Sequence, residues 1–259
     1  MAYIVGLAGK GGTGKTTVAA LLVSLLLEDK RGPVLAVDAD PNYNLGLTLG
    51  VEVKRTIADV REQVMQEKLS IPQDMSKERI VEYEIQKVLE ERKGFALLTM
   101  GRPEGPGCYC YINHILRKYL DILTADYKFA IIDNEAGMEH LSRRTTNNVD
   151  HLIITALPET ASVIAAERIS GIARSLPITV RRISVILNRV QQTVPDHILK
   201  RLEKSSLPVL AQVPYDDKLE KLLSEEKSLL EIAAQTEVFE ILRRVKDKVF
   251  ALSEETTPP

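Results

Sequence analysis

Short unbroken apolar runs recur along this chain and alternate with longer amphipathic stretches. The first run is Tyr3-Ile4-Val5-Gly6-Leu7-Ala8, and the second is Val34-Leu35-Ala36-Val37, closed by Asp38. Others follow at Phe95–Met100, Phe129–Ile132, His151–Leu157, Ile183–Leu187 and near Leu210–Val213. A strand covered on both faces reads as such a run, because neither set of alternating side chains meets water. Between the runs, helical patterns extend from Thr16 to about Asp29 and over Glu78–Arg92, Ile112–Leu123, Thr160–Ser175 and Phe239–Leu252. The alternation predicts an α/β fold, a mostly parallel sheet flanked by helices on both faces. With no internal repeat and no long linker, one domain is expected over residues 1–252. The charged stretch Thr56–Lys93 is expected as a helical excursion packed on one side, and residues 253–259 as a polar, fraying tail.

Composition narrows the functional classes. The chain has 259 residues, enough to bury a substantial core. A formal net charge of −2 argues against a general affinity for nucleic acid or anionic membrane. No apolar run has the length to span a bilayer, and the Tyr3–Ala8 stretch is too short for a signal peptide and lacks a basic leader. A reducing cytoplasm is therefore expected. The only two cysteines, Cys108 and Cys110, exclude a disulfide scaffold, and a bridge between residues so close would be strained.

Chemistry enters at Gly9-Lys10-Gly11-Gly12-Thr13-Gly14-Lys15-Thr16-Thr17, between the first strand and the first helix. Glycines let the backbone turn sharply and aim successive N–H groups at phosphate oxygens. The helix that follows adds its partial positive charge. Lys15 supplies a point charge to the β- and γ-phosphates, and the Thr16 hydroxyl is placed to ligate Mg²⁺. The fold class thus becomes a single-domain P-loop NTPase using ATP/ADP and Mg²⁺. Phe129-Ala130-Ile131-Ile132-Asp133 is an apolar strand ending in an acid, the form of a Walker B element, and Asp133 is expected to hold Mg²⁺.

Both cysteines lie in Gly101-Arg102-Pro103-Glu104-Gly105-Pro106-Gly107-Cys108-Tyr109-Cys110-Tyr111-Ile112-Asn113-His114, where glycine and proline demand a loop. Two thiolates make half of a four-ligand site, so two copies of the chain meeting on a two-fold axis would complete one. Four thiolates suit tetrahedral Zn²⁺, square-planar Ni²⁺ or an iron–sulfur cluster. His114 is placed to be structural rather than a ligand.

The second lysine of the loop, Lys10, resembles the deviant phosphate loop of the MinD/ParA and nitrogenase-iron-protein superfamily. That resemblance implies a homodimer in which Lys10 reaches the partner's nucleotide and offsets charge on the transferring phosphoryl group. It also implies that Asp38-Ala39-Asp40-Pro41-Asn42 is the first switch region, with Asp40 orienting the attacking water and belonging to the Mg²⁺ site. Asn44 is a further candidate for that shell. Gly137 matches the second switch glycine, and Asn188-Arg189 with Val213-Pro214 matches the adenine pocket. Three blocks taken together, Gly9–Thr17, Gly101–His114 and Asp133–Thr145, look like the CooC family. Those are nickel-insertion ATPases that mature carbon monoxide dehydrogenase and acetyl-CoA synthase. The resemblance implies a metallochaperone whose ATP cycle opens and closes a Cys108/Cys110 site for Ni or Zn, with one of those enzymes as client.

Two other classes share the loop. A MinD/ParA-like positioning ATPase acts on DNA or membrane and leaves the Cys-Tyr-Cys unexplained; its membrane form needs a basic amphipathic tail with a bulky apolar end. A nucleotide-gated iron–sulfur protein also sets two cysteines per subunit on a dimer axis, but far apart in sequence. An iron–sulfur carrier is expected to show Cys-x-x-Cys.

Overall fold

The computed structural model describes residues 2–65, 77–101, 123–124, 126–135, 148–225, 227–232 and 236–251. Cys108, Cys110, His114 and Gly137 lie outside these residues, as does most of the expected helix Ile112–Leu123.

Each apolar run of the sequence lies in a strand. Among the described residues the strands are β1 (Tyr3–Gly9), β2 (Val34–Ala39), β3 (Glu90–Arg92), β4 (Phe95–Thr99), β5 (Phe129–Asn134), β6 (Asn148–Ala156), β7 (Thr179–Val190) and β8 (Val209–Pro214). They form one sheet in the order β3-β4-β2-β5-β1-β6-β7-β8. Neighbours run parallel except β3 and β4, which are antiparallel. Strand order reverses beside β1, flanked by β5 on one side and β6 on the other. Such a reversal opens a crevice at the carboxyl ends of the strands, where ligands of α/β proteins bind.

Helices cover both faces. They are α1 (Lys15–Glu28), α2 (Asn44–Leu49), α3 (Ile57–Met65), α4 (Lys77–Gln86), α5 (Thr160–Ser175), α6 (Asp196–Lys204), α7 (Asp217–Ser224), α8 (Leu229–Ile232) and α9 (Glu237–Phe250). One core joins α1 and α9 to alternate strand residues, including Val5, Ala36, Ile131 and Ile153. On the opposite face, α3 and α4 pack on β2, β4 and β5, while α5 and α6 pack on β6 and β7. Helix α1 is apolar nearly all round because α9 covers the side that the sheet does not. Phe250 closes this layer, edge-on to Tyr3 and Phe129 with ring centroids 5.6 and 5.0 Å away. Buried Lys246 pairs with Asp29 just past the end of α1.

The expected helix Glu78–Arg92 ends early, at Gln86. Glu90–Arg92 instead folds back as an edge strand on Phe95–Leu97, across a turn in which Gly94 holds φ 88°. Its three charged residues carry no apolar period, which is how an edge strand resists pairing with other chains. Strand β7 also begins earlier than expected, at Thr179.

Candidate functional site

The phosphate loop leaves β1 at Gly9 and enters α1 at Lys15, at the carboxyl edge where strand order reverses. Two of its glycines are required by contact as well as by conformation. Gly9 has φ 148°, and an added Cβ would lie 2.4 Å from the Thr155 carbonyl oxygen. Gly14 has φ 89°, and its Cβ would lie 2.3 Å from Asn188 Nδ2. Thr13 fixes the loop from within: its hydroxyl donates to the Lys10 carbonyl at 2.8 Å and pairs with the Thr155 hydroxyl at 2.8 Å. Asn188 Nδ2 donates to the Thr13 carbonyl at 2.9 Å, tying the end of β7 to the loop. Gly11, Gly12 and Lys10 are exposed, so their backbone and the Lys10 side chain face solvent.

Lys15 is buried, with Nζ 3.4 Å from the Lys10 carbonyl. The next residue, Thr16, donates its hydroxyl to Asp133 Oδ2 at 2.6 Å. Asp133 is fully buried, and its Oδ1 has no hydrogen-bond partner. In register with it on β2 stands Asp38, also fully buried. Burial pushes Asp133 up to about 6, against the Thr16 hydrogen bond and the Lys15 charge. Burial and the neighbouring Asp133 push Asp38 up to about 7, against the N–H donors of Leu45 and Asp40. Two buried carboxylates with a lone pair left over describe a site short of positive charge. A divalent cation at Thr16 and Asp133 fits that deficit, and Mg²⁺ in particular takes few protein ligands when substrate phosphates complete its shell. Among the described residues no group of three His, Cys, Asp or Glu side chains makes an all-protein metal site.

Asp40 is held in its own turn, where Oδ1 accepts both the Asn42 N–H and Asn42 Nδ2, each at 2.9 Å. Asn44 opens α2 and is exposed. Beside the loop, Gly14, Thr17 and Val18 line a crevice with Asn188, Arg189 and Pro214, completed by Asp216, Leu219, Glu220 and Val238. Arg189 has φ 55° and pairs with Glu220 at 2.6 Å across this crevice. Asp216 caps α7 by accepting the Leu219 N–H at 3.0 Å.

Most sequence-derived candidates among the described residues therefore converge on one edge of the sheet. Pro214 lines this crevice, while its neighbour Val213 is buried in the α1–α9 core. Thr155, Asp216 and Glu220 stand beside the loop or its crevice although the sequence reading left them without a role, and Asp38 was read only as part of the first switch region. The only signal for Asp216 was its N-cap position before a helical run.

Comparison with known proteins agrees with this geometry. Residues 4–230 match the model of the CobQ/CobB/MinD/ParA nucleotide binding domain. An uncharacterised ATP-binding protein of Methanocaldococcus jannaschii is 38% identical over 248 residues, covering 95% of this chain and 98% of that protein. The carbon monoxide dehydrogenase accessory protein CooC of Rhodospirillum rubrum is 33% identical over 224 residues, 82% of this chain and 83% of that one. Among solved structures, the septum site-determining protein MinD of Pyrococcus horikoshii, complexed with Mg-ADP, superposes with a TM-score of 0.72. That match covers 100% of both chains at 20% identity, and so speaks for the fold. The chain belongs to the CobQ/CobB/MinD/ParA nucleotide-binding family.

Proposed function

We propose that this member of the family is a homodimeric, Mg²⁺-dependent ATPase that delivers nickel to carbon monoxide dehydrogenase or acetyl-CoA synthase in the reducing cytoplasm. The observation that carries the metal half is positional. Strand β4 ends at Thr99, on the same carboxyl edge as Thr16 and Asp133, and the chain then enters the 101–114 segment with both cysteines. The 33% identity to CooC supports the same reading.

The chain's own residues divide the work. Backbone N–H groups of Lys10–Lys15 and the start of α1 bind the phosphates, and Lys15 sets its charge against them. Thr16 and Asp133 would hold Mg²⁺, with Asp40 contributing from its turn. The metal, when bound, neutralises charge on the β- and γ-phosphates. Asp40 orients the water that attacks the γ-phosphoryl group, giving ADP and phosphate. Lys10 of each chain reaches the partner's nucleotide, and Gly137 donates its N–H to the γ-phosphate. Asn188, Arg189 and Pro214 frame the base. Nickel, the cargo, is held by Cys108 and Cys110 of two chains; Zn²⁺ fits the same four thiolates.

The membrane form of the positioning-ATPase alternative needs a helix with a free apolar face. Helix α9 buries that face, placing Val238, Phe239, Leu242, Val245, Val249 and Phe250 in the core. Nucleotide drives delivery only if it binds the open and closed states with different affinity. Sedimentation and anaerobic nickel binding, each with and without ATP, test this. ATP is expected to strengthen dimerisation and to change nickel affinity; no change in either would sink the proposal.

A further inference from the structure

Lys10 is exposed on the phosphate loop, yet its own carbonyl is held from within. Three donors reach that oxygen: the Thr13 hydroxyl at 2.8 Å, the Thr13 N–H at 3.4 Å and Lys15 Nζ at 3.4 Å. Only the first is short. Lys15 turns its charge on phosphate once nucleotide binds, which leaves the Thr13 hydroxyl as the main tie on this peptide through the reaction. That hydroxyl has one proton, and it goes to Lys10. Its 2.8 Å contact with the Thr155 hydroxyl therefore uses the Thr155 proton. The other acceptor open to Thr155, the Ala8 carbonyl, lies farther off at 3.3 Å. Donation thus runs from Thr155 to Thr13 to the Lys10 carbonyl, through two side chains that are each 1% exposed.

Thr155 stands in register with Gly9, the residue before Lys10. A Cβ at Gly9 would lie 2.7 Å from the Thr155 hydroxyl and 2.9 Å from that of Thr13, so the two hydroxyls pack on the start of the loop. Strand β6 does not itself need a hydroxyl here, because it is already paired with β1 and β7 through its backbone. A methyl in the same place would not be neutral. Carbon meets oxygen at about 3.3–3.6 Å. A methyl therefore cannot sit where the hydroxyls now meet at 2.8 Å, and Thr13 would have to turn away from Lys10.

We infer that Thr155 is a positioning residue for Lys10: it sets the Thr13 hydroxyl that holds the Lys10 peptide, and so fixes where the Lys10 side chain leaves the loop. The inference rests on the reading of Lys10 as the cation supplied to the partner's nucleotide. A residue that only braced the loop would act on nucleotide binding, whereas one that places Lys10 acts on turnover.

The test is a double-mutant cycle on steady-state ATP hydrolysis, with ATP affinity measured alongside, at protein concentrations where the dimer forms. Lys10→Ala is expected to lower kcat by about 10³-fold or more, the worth of a cation supplied across an interface. Thr155→Val is expected to lower kcat by about 10- to 100-fold, the cost of misplacing a group by up to about 1 Å, with ATP affinity within about two-fold of wild type. Thr155→Ser keeps the donor and is expected to stay within about three-fold of wild type. Added to Lys10→Ala, Thr155→Val is expected to change kcat by no more than about two-fold, because the residue it acts through is gone. An unchanged kcat in Lys10→Ala overturns the reading of Lys10, and with it this inference. With Lys10→Ala impaired, three results overturn the inference alone: Thr155→Val at wild-type kcat, Thr155→Ser as impaired as Thr155→Val, or a Thr155→Val loss that persists in full beside Lys10→Ala. Should Thr155→Val not fold, Thr155→Ala enters the cycle under the same criteria.

Discussion

Thr16 and Asp133 meet hydroxyl to carboxylate at 2.6 Å, although 117 residues separate them in the chain. The contact joins the first turn of α1 to the end of β5 and leaves Asp133 Oδ1 without a partner. It defines the place where a cation would relieve two buried acids.

Replacing Asp133 by Asn keeps the shape and removes the charge. The expected result is a rise of about 10–100-fold in the Mg²⁺ concentration needed for half-maximal ATPase activity, the usual effect of losing an outer ligand partner. A Mg²⁺ titration of steady-state hydrolysis measures it. An unchanged requirement would remove Asp133 from the metal site.

At Gly14, alanine would meet two obstacles, the left-handed φ of 89° and the Asn188 amide 2.3 Å from the new Cβ. The conformation alone costs about 1–2 kcal/mol. Gly14→Ala is expected to lower stability by at least that much in urea unfolding and to weaken ATP binding, because Asn188 must leave the Thr13 carbonyl. Gly11→Ala is the control for the stability loss alone, since nothing lies within 4 Å of its Cβ.

The parts of this site that were legible in the sequence share one property: local backbone dictates them. Glycines of the loop and acids closing apolar strands announce themselves without knowledge of neighbours. The crevice beside the loop does not, because Glu220 and Val238 arrive from helices whose approach only tertiary packing sets. Val213 and Asn188-Arg189 make the contrast sharp. Val213-Pro214 follows strand alternation, so one residue faces inward. Strand β7 is irregular between Leu187 and Val190, and Arg189 at φ 55° breaks alternation, so both residues of its pair line the crevice. Strand β3 was hidden for a different reason, its charged edge sequence.

His151 gives the chain a readable pH signature. Its Nε2 pairs with Ser184 at 2.8 Å, and burial, reinforced by the Arg182 charge, pushes it down to about 4 from 6.5. The unfolded chain therefore takes up the proton first. Its contribution to stability is complete above pH 6.5 and is lost as pH falls toward 4. Asp38 and Asp133, raised to about 7 and about 6, act in the opposite sense over that range. The His151 term is thus read as the stability difference between wild type and His151→Gln, which is expected to shrink from pH 6.5 to 4. A difference independent of pH would contradict it.

Phe250 anchors α9 against Tyr3 and Phe129 from a fully buried position. Truncation to Ala is expected to cost about 3–5 kcal/mol of unfolding free energy. Denaturant melts of Phe250→Ala and Phe250→Leu check it, with the leucine variant recovering a substantial part of the loss.

The central claim is that this nucleotide switch carries nickel on Cys108 and Cys110. Its most direct measurement is an anaerobic nickel titration of wild type beside the Cys108→Ala/Cys110→Ala double variant, at concentrations where the dimer forms. Wild type is expected to saturate at about one nickel per dimer, four thiolates around one ion, and the variant to bind none at that site. Equal nickel binding by the two chains would contradict it.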